Sequence, residues 1–240
     1  MIIVYSLLAA VVGYLLFLSI CALAVNPDKD YRRHSHFYRS LLNGAAAIAL
    51  WVCRVKIHTT GAEKLPRERA LYVCNHRSKF DPIVTWLALK EKNLAFISKP
   101  ENFKVPIFGR LIRKCCFLPI DRQNPRNAIK TINKAAKLIT SDQVSVAVYP
   151  EGTRSKNCEL LPFHNGVFKI AQKASVPIVV LSIRGTERIH KRVPFHRSHV
   201  YLDVLAVFDA DTLPKHTEEI GNLVRQLLEN SLEQAVDPIG

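Results

Sequence analysis

Residues 1–25 contain no charged side chain, and this limits what the chain can fold into. The stretch is MIIVYSLLAAVVGYLLFLSICALAV. About 20 apolar residues suffice to cross a bilayer as a helix. A cleaved signal peptide is the alternative, but it requires a basic region before the apolar run, and none exists here. We therefore expect residues 1–25 to stay on the protein as a membrane-anchoring helix.

Positive charges follow this run, and a second apolar stretch follows them. The charges are Lys29, Arg32, Arg33 and Arg39. By the positive-inside rule they predict that the rest of the chain lies on the cytoplasmic face. The second stretch, residues 41–53, is too short to span a bilayer. It is either a buried helix or a helix in one leaflet, and its basic flanks and Trp51 favour the leaflet. We expect residues 1–55 to form a membrane-associated helical region.

The balance of charge and the cysteines narrow the class of protein. The 240 residues carry a net charge of +14, which favours anionic partners such as membrane lipids or phosphorylated substrates. Nucleic acid is not expected, because no recognised binding motif and little basic–aromatic interleaving are present. The six cysteines form no C-x-x-C pair, which argues against a zinc site and suits buried thiols in a reducing compartment.

From about residue 56 the hydrophobic pattern predicts one α/β domain that extends to residue 240. Short apolar runs alternate with amphipathic helical patterns over residues 124–142 and 217–235. We expect a mostly parallel central sheet flanked by helices on both faces. Only the last run alternates, which predicts a half-exposed edge strand. The six runs are 70–74, 94–98, 115–120, 144–149, 177–183 and 200–208.

Polar side chains crowd the stretch NHRSKFDP, which follows the first of these runs. Asp81 comes five positions after His76. A turn into a helix can fold the carboxylate back onto the imidazole, where it would fix the tautomer and make the other nitrogen a better base. The alternative is an ordinary polar turn, which is the commoner meaning of a single His-x4-Asp pattern.

Two further clusters follow predicted strands, at the sheet edge where ligands bind in such folds. In YPEGTRSK, Gly152 permits a close backbone approach and Arg154 offers a planar fork to a phosphate. Glu151 can position a basic side chain or support the turn. In FLPIDR, Arg122 emerges next to Asp121, which by itself is an ordinary surface ion pair.

The order of these clusters is more specific than any one of them. NHxxxxD, then IDR, PEGTRS and VPIVVL, over Leu71 to Ile183, resembles the glycerophospholipid acyltransferase family, and above all its 1-acylglycerol-3-phosphate acyltransferase branch. The chain departs from the family pattern where Cys116 replaces a Gly and His164 replaces a Lys. Pro119 and Val180 depart as well, and all four changes concern support and acceptor fit.

The resemblance implies direct acyl transfer from acyl-CoA or acyl-carrier protein to lysophosphatidic acid, giving phosphatidic acid without a cofactor or metal. His76 would serve as general base and Asp81 would orient it. Other acceptors, such as glycerol phosphate or another lysophospholipid, remain open, and a non-enzymatic basic membrane-bound module is a further alternative. The residues implied in binding the acceptor phosphate are Arg122, Glu151, Gly152 and Arg154, with Lys99 and Lys104 as weaker candidates.

Overall fold

The structure is a computed structural model that describes residues 1–234, apart from the side chains of residues 2–4. Two helices precede an α/β domain, as the hydrophobic pattern predicts. The helices are α1 (Ile2–Leu23), α2 (His36–Val52), α3 (Asp81–Ala88), α4 (Phe108–Lys114), α5 (Pro125–Thr140), α6 (Lys169–Ala174), α7 (Ile189–Arg192) and α8 (Thr217–Glu233). The strands are β1 (Val55–Thr60), β2 (Leu71–Cys74), β3 (Leu94–Ser98), β4 (Leu118–Pro119), β5 (Ser145–Val148), β6 (Ile178–Arg184) and β7 (Ser198–Phe208).

The seven strands form one sheet in the order β1-β7-β6-β2-β5-β3-β4. Every neighbouring pair is parallel except β6 and β7. Strands β2 and β5 are buried along their whole length because helices cover both faces of the sheet. The predicted α/β fold with a mostly parallel sheet flanked by helices is thereby confirmed.

Two strand predictions need correction. Residues 200–208 lie in β7, which is half-exposed but not an edge strand, because β1 pairs along its outer side from Val55↔Ser198 to Thr60↔Asp203. The sequence of β1, VKIHTT, has too few apolar residues to signal a strand. The predicted strand over 115–120 is reduced to Leu118–Pro119, because Cys115 ends α4 and Cys116 has a positive φ of 63°.

Helix α5 illustrates how local signals place the elements beside the site. The Asn124 side chain accepts hydrogen bonds from the N–H groups of Arg126 and Asn127, at 3.1 and 3.3 Å, and Pro125 occupies the first helical position. Ile132, Ala136 and Ile139 are buried against the sheet. Ile129, predicted on the same face, is exposed, because the buried stripe runs instead through Ala128, Thr131 and Ala135 and leaves Ile129 at its margin.

Helix α1 contacts the domain along one side only. Its Leu18 and Ala22 are buried, and the Tyr14 hydroxyl donates to the Leu41 carbonyl at 2.6 Å. The opposite side is exposed, with Leu8 at 59% and Leu16 at 61%. Within residues 1–234, α1 is the one helix that is long and apolar enough, over Tyr5–Leu23, to cross a membrane by length and composition.

Helix α2 packs between α1 and the domain and contributes to the same core. Leu41, Leu42 and Leu50 are buried with residues of α3, α4 and the sheet. Its Arg39 is also buried and donates to the Leu94 carbonyl at 3.0 Å. Of the two alternatives for residues 41–53, a buried helix therefore holds for the side of α2 that faces the domain. Trp51 at its end is exposed, and entry of that end into the bilayer stays a prediction. The boundary between residues 55 and 56 also stays a prediction.

Candidate active site

The turn between β2 and α3 brings His76 and Asp81 into contact, as their spacing predicts. The imidazole Nδ1 lies 2.8 Å from Asp81 Oδ2. The same oxygen accepts the backbone N–H groups of Arg77 and Ser78, at 2.6 and 2.7 Å. The Thr186 hydroxyl donates to the other oxygen, Oδ1. The Asp81 side chain is 0% exposed, so these four donors replace its hydration completely.

This network determines which nitrogen of His76 carries the proton. An Asp81 carboxylate surrounded by donors can only accept, so Nδ1 of His76 is the protonated nitrogen. The neutral ring then presents a lone pair at Nε2, and within residues 1–234 no group hydrogen-bonds to that atom. The His76 side chain is 16% exposed, which leaves Nε2 reachable by a substrate.

Neighbouring residues fix the plane of the imidazole and the position of the turn. The Tyr149 ring stacks on His76 with centroids 4.3 Å apart and planes at 23°. Asn75 is fully buried and exchanges two hydrogen bonds with the backbone of Ile183 in β6, at 2.9 and 2.8 Å. The side chain of Asn75 thus extends the pairing of β2 and β6 by one position into the turn.

Glu151 connects the loop after β5 to the turn that carries His76. Its Oε1 accepts the His76 N–H at 2.7 Å and its Oε2 accepts the Leu161 N–H at 2.9 Å. The Ser155 N–H donates to the His76 carbonyl at 2.9 Å. Burial raises the pKa of Glu151, although the two amides oppose this shift. Because each carboxylate oxygen accepts a backbone N–H group, Glu151 positions the loop, and its part in binding the acceptor phosphate stays a prediction.

Gly152 and Arg122 lie side by side, although Arg122 follows β4 and Gly152 follows β5, with the whole of α5 between them in sequence. Gly152 has φ of +72°, and a Cβ there would lie 2.8 Å from His164 Cδ2 and 3.3 Å from Arg122 Cζ. The three residues line a small cavity of about 40 Å³ at the carboxyl ends of β3, β4 and β5. Arg122 is exposed, yet the atoms around it lower its pKa by desolvation while the charge of Glu101 opposes this.

The remaining predicted phosphate-binding residues lie on the surface of the same strand ends. Arg154 follows Gly152 in the loop after β5 and is exposed. Lys99 and Lys104 begin and end the short segment after β3, and both are exposed. Within the described part of the chain, none of the three forms an ion pair. They are cations available to a ligand, and their roles stay predictions.

An apolar pocket of about 190 Å³ lies between α2, α3 and α4, next to the His76–Asp81 pair. Pro82 and Ile83, which directly follow Asp81, form part of its wall. Phe96 lines it too and stacks on Tyr149, with centroids 6.0 Å apart, and Tyr149 in turn stacks on His76. The aromatic rings thus connect the pocket to the reactive nitrogen.

Sequence reasoning did not find Thr186, Tyr149 or His164 as partners of the site. Thr186 is 105 residues from Asp81, and a Thr after a strand carries no signal of its own. Tyr149 is only the first residue of the stretch YPEGTRSK, and His164 is only a departure from the family pattern. Thr186 lies just after β6 and Tyr149 just after β5, while His164 lies opposite Gly152.

Comparisons with known proteins show which family the chain is similar to. A family model described as "Acyltransferase" matches residues 56–184. The 1-acyl-sn-glycerol-3-phosphate acyltransferase of Limnanthes douglasii is 29% identical over 81% of this chain and 68% of its own length. The Escherichia coli K12 protein of the same name is 27% identical over 97% of this chain and 90% of its own. The protein of the same name from Cocos nucifera is 37% identical over 57% of this chain and 44% of its own length.

A solved structure has the same fold. It is the crystal structure of the 1-acyl-sn-glycerophosphate (LPA) acyltransferase PlsC from Thermotoga maritima, with a TM-score of 0.72. The match covers 95% of this chain and 90% of that one, at 22% identity. The fold is therefore shared over nearly the whole length of both chains.

Proposed function

Because the chain belongs to the acyltransferase family, we propose that it transfers an acyl group from an acyl thioester to the free hydroxyl of 1-acylglycerol-3-phosphate, giving phosphatidic acid. The names of its relatives support this acceptor. The observation that carries the proposal is the His76–Asp81 pair, whose buried carboxylate holds Nδ1 and leaves Nε2 for a substrate. This is the geometry that a general base requires.

The reaction follows from this arrangement. Nε2 of His76 accepts the proton of the acceptor hydroxyl while the hydroxyl oxygen attacks the thioester carbonyl. The C–O bond forms, the tetrahedral intermediate collapses and the C–S bond breaks. His76 then returns the proton to the departing thiolate. The Asp81 carboxylate stabilises the imidazolium that forms between the two proton transfers.

The surroundings of His76 suit the two substrates. The apolar pocket lined by Phe96 and Ile83 would take the acyl chain of the donor, because it removes methylene groups from water beside the reactive nitrogen. The phosphate of the acceptor would lie at Arg122 and Gly152, within reach of Arg154, Lys99 and Lys104. A phosphomonoester requires several charge-assisted donors, and these cations provide them. The donor carrier would be coenzyme A or acyl-carrier protein.

The proposed location is the membrane, with the domain on its cytoplasmic face. Helix α1 leaves its apolar outer side uncovered, and the basic residues that follow it are typical of the cytoplasmic side. Both the acceptor and the product are lipids, so an enzyme held at the bilayer meets them where they are concentrated.

The test is an acyl-transfer assay with purified protein, a labelled acyl thioester and a panel of acceptors. The panel contains lysophosphatidic acid, glycerol 3-phosphate, lysophosphatidylcholine and a lipid-linked amine. We expect lysophosphatidic acid to be preferred, and we expect His76→Gln and Asp81→Asn each to lower turnover by about 10²–10⁴-fold. His190→Gln, which changes an exposed histidine on α7, is the control and should retain turnover.

The outcomes separate the alternatives. Near-normal turnover of His76→Gln would remove the general-base assignment. Preference for another acceptor would keep the chemistry but change the substrate. Of the departures from the family pattern, His164 would be the first residue to test in that case, because it lies beside Gly152 at the proposed acceptor phosphate site. Lack of transfer to every acceptor would favour a non-enzymatic membrane module.

A further inference from the structure

A third and larger cavity lies beside the segment that joins α1 to α2, and it shares Phe117 with the apolar pocket. It measures about 640 Å³ and lies between this segment, the end of α4, strand β4 and helix α5. Asp30 is its one acidic lining residue, and we call it the basic cavity. Its six cationic lining residues are Lys29, Arg32, Arg33, Arg113, Lys134 and Lys137.

The segment that forms one wall of the basic cavity is fastened to the domain at several points. His34 Nδ1 lies 2.6 Å from the Gln143 carbonyl, and the Ser35 N–H donates to the Lys114 carbonyl at 2.9 Å. Lys114 Nζ lies 4.3 Å from the centre of the Tyr31 ring. Burial is the main cause that lowers the pKa of His34 to about 4, so this residue adds no charge at neutral pH. The wall is thus part of the folded structure.

The charges of the basic cavity are not balanced by the protein. Lys134 pairs with Asp30, and within residues 1–234 the other five cations form no ion pair. The Nε atom of Arg113 is buried and has no hydrogen-bond partner among the described residues. Five uncompensated cations around one cavity repel each other, and an unsatisfied buried donor costs free energy. An anion with several oxygen atoms relieves this repulsion and offers acceptors to Arg113, whose guanidinium lies over the Phe103 ring and lines the cavity.

We propose that the basic cavity binds the phosphate-bearing headgroup of an anionic membrane lipid, separately from the acceptor site. Lys29 follows closely on the end of α1 at Leu23, so the cavity lies at the bilayer surface if α1 spans the membrane. Phe117 and Leu118 add an apolar wall, which suits a lipid better than a free phosphate. The proposal rests on the proposed membrane anchoring by α1 and not on the acyl-transfer chemistry. Bound lipid would orient the domain against the bilayer.

The experiment measures lipid binding without turnover. The full chain in neutral detergent is titrated with short-chain phosphatidylglycerol, with phosphatidylcholine and with inorganic phosphate, and bound lipid is counted by native mass spectrometry. The test variant combines Arg32→Gln, Arg33→Gln and Lys137→Gln, which are exposed and pair with no carboxylate among residues 1–234. The matched control removes three exposed charges elsewhere, with Lys173→Gln, Lys191→Gln and Arg197→Gln.

We expect phosphatidylglycerol to bind at least about tenfold more tightly than phosphatidylcholine. That preference should disappear in the test variant, since each cation near an anionic surface contributes measurably, and persist in the control. Equal loss in both variants would show that only the overall charge matters and would overturn the proposal. Competition by inorganic phosphate at equal strength would overturn the lipid assignment. An acyl-transfer assay of the same variants reports separately on the proposed reaction.

Discussion

Asp81 illustrates how much of the site depends on the surroundings of single residues. Its carboxylate accepts hydrogen bonds from His76, from two backbone amides and from Thr186, so it is held from four directions. A carboxylate held in this way orients the imidazole throughout the reaction. Three of the four donors come from the local turn, and only Thr186 reaches in from another part of the chain.

Removal of the Thr186 hydroxyl should therefore weaken catalysis without unfolding the protein. Thr186→Val leaves Asp81 Oδ1 buried without its donor, and we expect turnover to fall by roughly tenfold, on the basis of about 1–3 kcal/mol for an unsatisfied buried group. Thr186→Ser retains the hydroxyl and should restore most of the turnover. Equal losses in the two variants would attribute the effect to packing. The measurement is kcat with each substrate at saturation, together with the pH profile of kcat.

The arginines next to Gly152 are expected to act on the acceptor. Arg122→Gln and Arg154→Gln should each raise the KM for lysophosphatidic acid by about 10- to 150-fold, because a donor to a charged group contributes roughly 1.5–3 kcal/mol. Arg→Lys at either position should rescue only in part, since an ammonium lacks the planar fork. The exposed Arg126→Gln on α5 is the control. A rise confined to the KM of the thioester would reassign the arginines to the carrier.

At the scale of elements, the loop after β5 depends on Glu151 for its position beside α3. The carboxylate accepts hydrogen bonds from two backbone N–H groups. One belongs to His76, in the turn after β2, and the other to Leu161, further along the loop after β5. The site thus consists of two loops from adjacent parallel strands, β2 and β5. Besides Glu151, the Ser155 N–H donates to the His76 carbonyl at 2.9 Å and the Arg77 side chain donates to the Cys158 carbonyl at 3.0 Å. A change at Glu151 should move both loops relative to each other.

Glu151→Gln is expected to lower both stability and turnover. The oxygen of a carboxamide can accept a hydrogen bond from one of the two backbone N–H groups, but its N–H₂ group faces the other. One buried donor therefore loses its partner, at a cost of about 1–3 kcal/mol. We expect a lower Tm in detergent and a lower kcat with both substrates. Glu159→Gln, which changes an exposed carboxylate of the same loop, is the control. An unchanged Tm with a raised acceptor KM alone would instead support direct contact with the phosphate.

What the sequence predicted at this scale follows from the range of the interactions. The His76–Asp81 contact, the cap of α5 and the continuous hydrophobic strands are local features, so spacing and composition sufficed. Strand β1 could not be predicted, because its partner β7, the last strand within residues 1–234, provides the pairing that its polar sequence does not signal. Thr186 and the neighbourhood of Arg122 and Gly152 likewise depend on which strands adjoin in the sheet, and no short segment of sequence specifies the order of strands.

At the scale of the whole molecule, helix α1 has one side that packs on the protein and one side that is exposed. One side, with Tyr14 and Leu18, contacts α2 and the domain, while Leu8 and Leu16 face outward. Deletion of the helix would remove both sides together and expose the core. Charges placed only on the outer side therefore test the membrane anchor without disturbing the fold.

We expect the variant Leu8→Arg with Leu16→Arg to leave the membrane fraction while remaining folded. An arginine near the centre of a spanning helix costs about 2.5–3.5 kcal/mol, which applies almost in full at position 16 and in part at position 8, nearer the amino-terminal end of the span, so the two changes together strongly disfavour insertion of α1. The control places arginines at two exposed apolar positions outside α1, with Ile129→Arg and Leu223→Arg. Membranes are washed with alkaline carbonate, and the protein is counted in pellet and supernatant. Mass spectrometry of the native protein should show that it begins before residue 26. A native start near residue 26 would indicate a cleaved signal and another compartment. In the carbonate wash, equal retention of the variant and the control in the pellet would leave α1 without an anchoring role.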